Sequence, residues 1–92
     1  MLSKAQVVQL SKKAHHLEPV VLIGQKGLTE NVLSEIDRAL QDHHLIKVKA
    51  KADREAILGW SEDVQTSLGA DVVKIIGKVM VLYREPEESD NI

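Results

Sequence analysis

The chain has 92 residues, a length that suits one domain with a single modest core. Its apolar fraction of 43% and charged fraction of 28% are typical of soluble globular proteins. The absence of cysteine excludes disulfides and thiolate metal sites. No signal-peptide pattern and no apolar run of membrane-spanning length occurs, so we expect a cytoplasmic protein with no membrane partner.

Charge is unevenly distributed along the sequence. The net charge is −2, but the last eight residues, EPEESDNI, hold four of the 14 acidic side chains. Residues 1–84 therefore carry 12 basic and 10 acidic side chains. We expect one folded domain over 1–84 and an acidic, flexible tail over 85–92, with a charge excess on the domain that permits a basic patch.

A helix and a strand are predicted over the first quarter of the chain. Ser3 and Gln6 have the spacing of a capping box, so the helix should begin at Lys4. Pro19 follows the end of this helix and precedes Val-Val-Leu-Ile. Such a continuous apolar run is typical of a strand that is buried on both faces.

A second helix and a second strand follow the sequence Gly-Gln-Lys-Gly. Thr29 is the predicted N-cap of a helix that ends between Asp42 and His44. Its apolar side chains lie on one stripe: Val32, Leu33, Ile36 and Leu40. Over 45–51 the sequence LIKVKAK alternates apolar residues with lysines, which predicts a strand with one covered face.

The last third predicts a helix and a hairpin. Asp53 can cap the helix and Gly69 can end it. The runs DVVKII and VMVLYR flank Gly77-Lys78, which favours a type II′ hairpin turn. Helical connections predict parallel neighbours among the first three strands. The predicted fold class is therefore α/β (α+β), in the order α-β-α-β-α-β-β, with a mixed four-stranded sheet and helices in two or three layers.

The strongest candidate site is the segment Gly24, Gln25, Lys26 and Gly27. Its two glycines allow positive φ and close approach of the backbone to a ligand. Thr29 begins a helix whose free N–H groups and positive dipole end face the same side, and Lys26 adds a cation. This segment can hold backbone phosphates, although a simple strand-to-helix turn is the commoner meaning of so short a motif.

Lysines of the second strand form another candidate site. Lys47, Lys49 and Lys51 should project to one side, and Lys74 and Arg84 alternate similarly on the last two strands. Such a row can follow a sugar-phosphate backbone. It is equally consistent with a solvated strand face that lysines protect from edge pairing.

Lys12 and Lys13 end the first helix, where cations also stabilise the helix dipole. If that helix end folds beside the Gly-Gln-Lys-Gly segment, the two basic clusters join. Histidines occur only as adjacent pairs, His15-His16 and His43-His44, and adjacent helical residues do not face each other. We therefore expect no metal site.

Enzymatic features are sparse. No nucleophile with a partner base and no carboxylate pair at an apolar strand end stands out, so we expect no catalytic residue and no cofactor. Trp60 lies on the apolar stripe of its helix and should pack in the core. Tyr83, near the end of the last strand, can either stack on a base or pack at the edge of the core.

Three stretches together resemble one known family: HHLEPVVLIGQKGLTENVLSEIDRAL, LIKVKA and GADVVKIIGKVMVLYR. They look like the CRM domain, the chloroplast RNA splicing and ribosome maturation domain, in its free-standing bacterial YhbY form. The resemblance covers about residues 2–84. It implies a domain similar to the C-terminal domain of bacterial translation initiation factor three, and RNA binding through a GxxG loop of the KH kind.

The resemblance also implies a partner and a site. The partner would be ribosomal RNA or the precursor of the large ribosomal subunit, with no DNA specifically expected. Separately from the resemblance, no feature of the sequence demands more than a monomer, so we expect a monomer. The loop would be Gly24–Gly27, supported by Lys12, Lys13 and the row from Lys47 to Lys51, with Lys78 and Arg84 as weaker candidates. A protein-interaction adaptor and a small enzyme acting on RNA phosphates remain the alternatives.

Overall fold

The computed structural model describes residues 2–86 and contains three helices and four strands. In chain order these are α1 (Lys4–Ala14), β1 (Pro19–Ile23), α2 (Glu30–His43), β2 (Leu45–Ala50), α3 (Arg54–Leu68), β3 (Asp71–Ile76) and β4 (Val79–Tyr83). The predicted order α-β-α-β-α-β-β is confirmed. The predicted tail lies outside the described residues from 87 onwards.

The four strands form one mixed sheet in the order β1-β2-β4-β3. β1 and β2 are parallel, whereas β4 pairs antiparallel with both β2 and β3. The expectation that the first three strands are parallel neighbours is therefore wrong for β3. The hairpin folds back so that β4, rather than β3, takes the place beside β2, which leaves β3 at the far edge.

Helices cover both faces of the sheet, which gives three layers. On one face α2 and α3 enclose the main core, whose largest fully buried members include Ile23, Ile36, Leu40, Ile46 and Ile57. On the other face α1 packs over a smaller cluster of Ala14, Val73 and Val81, bordered by Leu45 and Tyr83. Tyr83 thus takes the second of its two predicted roles, packing at the edge of a core.

Helix boundaries follow the caps that the sequence predicts. The Ser3 hydroxyl accepts the Gln6 N–H at 3.1 Å, and the Gln6 side chain accepts the Ser3 N–H at 2.8 Å. Thr29 accepts the Val32 N–H at 3.2 Å, and Asp53 accepts the Ala56 N–H at 2.9 Å. These bonds satisfy backbone donors that helix starts leave free, so all three helices begin where local chemistry places them.

The first strand differs from its prediction. β1 is an edge strand and alternates in burial: Val21 and Ile23 face the main core, while Val20 and Leu22 are 53% and 48% exposed. The continuous apolar run suggested burial on both faces. α1 crosses the other strands on its side of the sheet, and so leaves the outer face of β1 uncovered.

Two further findings bear on function. Within residues 2–86, no helix has the length and apolar character needed to cross a membrane. In the same part of the chain, His, Asp and Glu side chains form no group of three or more that could hold a metal ion.

Candidate nucleic-acid interface

The Gly24–Gly27 segment lies at one end of the sheet, between the last residue of β1 and the cap of α2. It is a tight turn in which the Gly27 N–H donates to the Gly24 carbonyl at 3.0 Å. The central residues Gln25 and Lys26 are exposed at its tip. The turn therefore presents backbone and one lysine beside the positive end of the α2 dipole.

Gly27 is required by the fold itself. Its φ is +81°, a conformation that side-chain-bearing residues rarely adopt. A Cβ at this position would also lie 3.2 Å from Cζ2 of Trp60, whose indole packs beneath the loop. Trp60 packs against the main core, as predicted, but no pattern in the sequence indicates that it also supports this loop from α3.

Gly24 is different, because nothing in the folded chain requires a glycine there. It is absent from the positive-φ glycines of the described chain, which are Gly27, Gly69 and Gly77. A Cβ built on Gly24 meets no atom within 4 Å. The space beside its α-carbon is therefore open, and an approaching ligand can reach the backbone there.

Three lysines meet at this end of the sheet. Lys26 is in the turn, Lys51 follows β2 and Lys78 occupies the hairpin turn. Backbone hydrogen bonds join these segments: the Lys51 N–H donates to the Ile23 carbonyl at 3.0 Å, and the Ala50 N–H donates to the Lys78 carbonyl at 2.9 Å. The sheet thus brings together cations that are far apart in sequence.

Acidic residues also occupy this end. Glu30 begins α2, and Asp53 and Glu55 lie at the start of α3. Carboxylates at a helix N-terminus interact favourably with the dipole. They also compete with a phosphate for the same positive end.

The predicted lysine row is present in β2. Ile46, Val48 and Ala50 are buried towards α2 and α3, and Lys47 and Lys49 project to the opposite face. Lys49 is paired in register with Leu22 of β1 and lies on the uncovered part of that face. Lys51 comes just after the end of the strand, at the Gly24–Gly27 end of the sheet.

The cluster at the end of α1 does not join the loop. Four residues separate Ala14 from Pro19, so α1 ends near the start of β1, whereas the loop follows the end of β1. Five strand residues span about 17 Å. Lys12 and Lys13 therefore lie a strand length from the loop, on the face of the sheet that α1 covers.

Arg84 lies at the opposite end of the sheet from the loop. Its guanidinium donates to the Asp37 carboxylate at 2.8 Å, to the Leu68 carbonyl at 2.9 Å and to the Asp37 carbonyl at 3.1 Å. These bonds connect the end of β4 to α2 and to the end of α3. A side chain so engaged has a structural role, and we leave Arg84 out of the candidate interface.

Two proteins that are named as RNA-binding are similar in sequence to this chain. A Haemophilus influenzae protein named RNA-binding protein is 48% identical over 89 residues, which cover 96% of this chain and 90% of its own length. A Pseudomonas aeruginosa protein named Probable RNA-binding protein is 40% identical over 93 residues, which cover 99% of this chain and 89% of its own.

A solved structure is similar over the whole fold. The solution structure of a Staphylococcus aureus protein, described as a candidate RNA-binding protein, matches with a TM-score of 0.84 at 31% identity. The match covers 98% of this chain and 95% of that one. The sequence model of the CRS1 / YhbY (CRM) domain matches residues 2–84. Since both matches span nearly the whole chain, it belongs to the CRS1 / YhbY (CRM) domain family.

Proposed function

We propose that this chain is a non-enzymatic RNA-binding protein that acts as a cytoplasmic monomer on ribosomal RNA during assembly of the large ribosomal subunit. The names of its relatives support RNA as the partner. The resemblance described above supports the ribosomal role. The mechanism is capture of the RNA backbone, with Gly24, Gln25, Lys26, Gly27 and Thr29 holding phosphates.

This proposal depends most on one observation, the open space around Gly24 in a backbone conformation that does not require glycine. A glycine in a turn is usually explained by positive φ or by crowding, and both explanations hold for Gly27. Neither holds for Gly24. Gly59 in α3 shares both properties, but Gly24 lies in a loop beside the N-terminus of α2, where phosphate oxygens approaching backbone N–H groups need room. At that place a close external contact is a physical reason for a residue without a side chain.

The lysines extend the phosphate path from the loop. Lys51 and Lys78 lie at the same end of the sheet, and Lys49 and Lys47 continue along β2. Lys12 and Lys13 add charge further along the same face. Binding through phosphates releases counterions, so affinity should fall linearly on logarithmic axes as salt rises, with little discrimination between bases.

Replacing Gly24 by alanine tests the loop directly. We expect Gly24→Ala to lower affinity for large-subunit ribosomal RNA about tenfold, the effect of losing one hydrogen bond to a charged group. Thermal unfolding should show equal or slightly higher stability, because alanine restricts the unfolded chain more than glycine does. Affinity is measured by filter binding across a salt series.

Gly59→Ala provides the matched control. Gly59 lies in α3 and has nothing within 4 Å of a built Cβ, so the chemical change is the same. Its RNA affinity should equal that of the wild type. Wild-type affinity in a folded Gly24→Ala variant would show that the loop is only a turn.

The adaptor alternative is favoured by one specific observation. Val20 and Leu22 are about half exposed on the outer face of β1, close to the partly exposed Leu17. Exposed apolar side chains grouped on one surface often contact proteins. If the chain is an adaptor, it should remain bound to purified large-subunit precursor particles at high salt. A Val20→Ser/Leu22→Ser variant should then fail to bind these particles. If binding is sensitive to salt and this variant retains it, the adaptor hypothesis is wrong.

A further inference from the structure

A second basic cluster lies outside the loop, where the end of α1 meets β3. Ser11, Lys12, His15, His16 and Lys74 line an open depression of roughly 390 Å³. The two imidazole rings are 5.4 Å apart and nearly perpendicular. The lining contains two lysines and two histidines and no carboxylate.

A β-bulge directs Lys74 to this depression. Pairing between β3 and β4 shifts register between Val72 and Lys74, so that Lys74 lies opposite Val81. Val81 belongs to the cluster beneath α1, and Val73 packs in the same cluster. Bulges re-aim side chains in this way. Here the bulge places a lysine beside α1, where strict alternation from Val73 would have turned it towards the main core.

The helix dipole explains only part of the cluster. Cations in the last turn of α1 suit its negative end, and this accounts for Lys12. It does not account for Lys74, which comes from another element, or for a bulge that brings one more positive charge to the same place. Like charges gathered on a surface repel one another, so the arrangement gains from an anion between them.

We propose that this depression is a second phosphate-binding site, contacted by the backbone of the same RNA that the Gly24–Gly27 loop holds. The inference rests on the proposed function and deepens it. Lys74 lies two residues before the end of β3 at Ile76, so about 7 Å of β3 separates it from the hairpin turn that holds Lys78. An RNA strand that extends from the loop past Lys78 can then reach Lys74 and Lys12 along the β3 edge of the sheet.

The histidines give the site a signature that the loop lacks. Imidazole is the side chain that commonly gains a proton between pH 8 and pH 5. The other charged side chains that line the depression with His15 and His16 are Lys12 from α1 and Lys74 from β3. Protonation adds positive charge beside the phosphate, so RNA affinity should rise as pH falls.

The test measures binding of the full chain to a fluorescent 12-nucleotide single-stranded RNA at pH 6 and pH 8, at constant ionic strength. We expect the wild type to bind about five times more tightly at pH 6. A His15→Gln/His16→Gln variant should lose most of this ratio, and a His43→Gln variant should keep it, since His43 is exposed outside the depression. Lys74→Gln should lower the logarithmic salt slope by about one, and Lys4→Gln should leave it unchanged.

Each result has one meaning. If wild-type protein binds RNA but the histidine and Lys74 variants match it, the second site is wrong and the loop proposal stands. If wild-type protein binds no RNA at either pH, the proposed function itself is wrong.

A second measurement follows the ring signals of His15 and His16 by NMR, with RNA and with inorganic phosphate at an equal phosphate concentration. If RNA and inorganic phosphate shift these ring signals to the same extent, and the histidine and Lys74 variants keep wild-type RNA affinity, the depression binds free phosphate and the proposal is wrong.

Discussion

The two sides of the sheet differ sharply in charge. α2 and α3, with the Asp53 cap, carry eight acidic and two basic side chains. The rest of residues 1–84 carries two acidic and ten basic side chains. The net charge of the chain conceals this division. A protein that is acidic overall therefore presents a strongly basic set of strands, loops and α1 to a polyanion.

The two sides also differ in how they use their surfaces. α2 and α3 bury one apolar stripe each in the main core and expose acidic faces. On the other side α1 covers only part of the sheet and leaves β1, Lys47 and Lys49 accessible. One side supplies stability, and the other offers cations and exposed backbone. The bulk isoelectric point is a poor guide to partners when charges are separated by layer.

Among single substitutions, the largest expected difference in RNA affinity is between two charge reversals, one on each side of the sheet. Lys49→Glu should lower RNA affinity at moderate salt about tenfold, because it removes the proposed phosphate contact and adds repulsion. Arg38→Glu makes the same change on the exposed face of α2 and should alter affinity less than twofold, since screening limits its reach to about 10 Å. Filter binding across a salt series measures both.

Equal losses in these two variants would contradict the division between sides. Such a result would mean that RNA responds to total charge rather than to a defined surface. A Lys26→Glu/Lys49→Glu variant extends the test to the loop. Its affinity should fall further, and wild-type affinity in that variant would refute the site assignment.

Arg84 departs from this division of charge, because it is a basic residue whose side chain binds to the acidic side, at α2 and the end of α3. Arg84→Ala should lower the free energy of unfolding by about 1–3 kcal/mol, since it breaks hydrogen bonds between a charged group, Asp37 and the Leu68 carbonyl. RNA affinity of the folded variant should not change. Urea denaturation gives the first quantity and filter binding the second.

Arg38→Ala is the matched control for stability. Arg38 is exposed on the same helix as Asp37, and its loss should change the unfolding free energy by less than about 0.5 kcal/mol. A stable Arg84→Ala variant with weakened RNA binding would return Arg84 to the interface that its sequence position first suggested.

Local signals predicted most of the fold. Capping residues and hydrophobic periodicity placed every helix start, and Gly77 takes the positive φ that its hairpin turn requires. Pairing depends on long-range packing, which explains the misplaced β3. Val20 and Leu22 were misassigned for a related reason: an apolar run gives no information on which strand a distant helix will cover.

The candidate site was only partly predictable. Gly24–Gly27 and the β2 lysines are contiguous in sequence and could be found there. The support of Gly27 by Trp60 joins residues 33 positions apart and needed the fold. The bulge that turns Lys74 towards α1 is likewise a pairing feature, invisible to alternation along one strand. The structural engagement of Arg84 depends on contacts from two helices.

The smallest expected effect concerns the start of α2 behind the loop, where an acidic residue lies next to the basic cluster. Glu30 lies in the first turn of that helix, within the region proposed to hold a phosphate. Its carboxylate competes for the positive end of the dipole. Glu30→Gln should therefore raise RNA affinity about two- to threefold at low salt, and the gain should shrink as salt rises.

Glu35→Gln separates this effect from general charge. Glu35 is exposed on the same helix but lies five residues further on, beyond the first turn where the dipole acts. It should leave affinity within about 1.3-fold of the wild type, if interactions beyond a Debye length are largely screened. Equal gains in both variants would show that RNA senses only net charge at α2. A gain confined to Glu30→Gln, measured by filter binding at two salt concentrations, would mean that the N-terminus of α2 faces the bound phosphate.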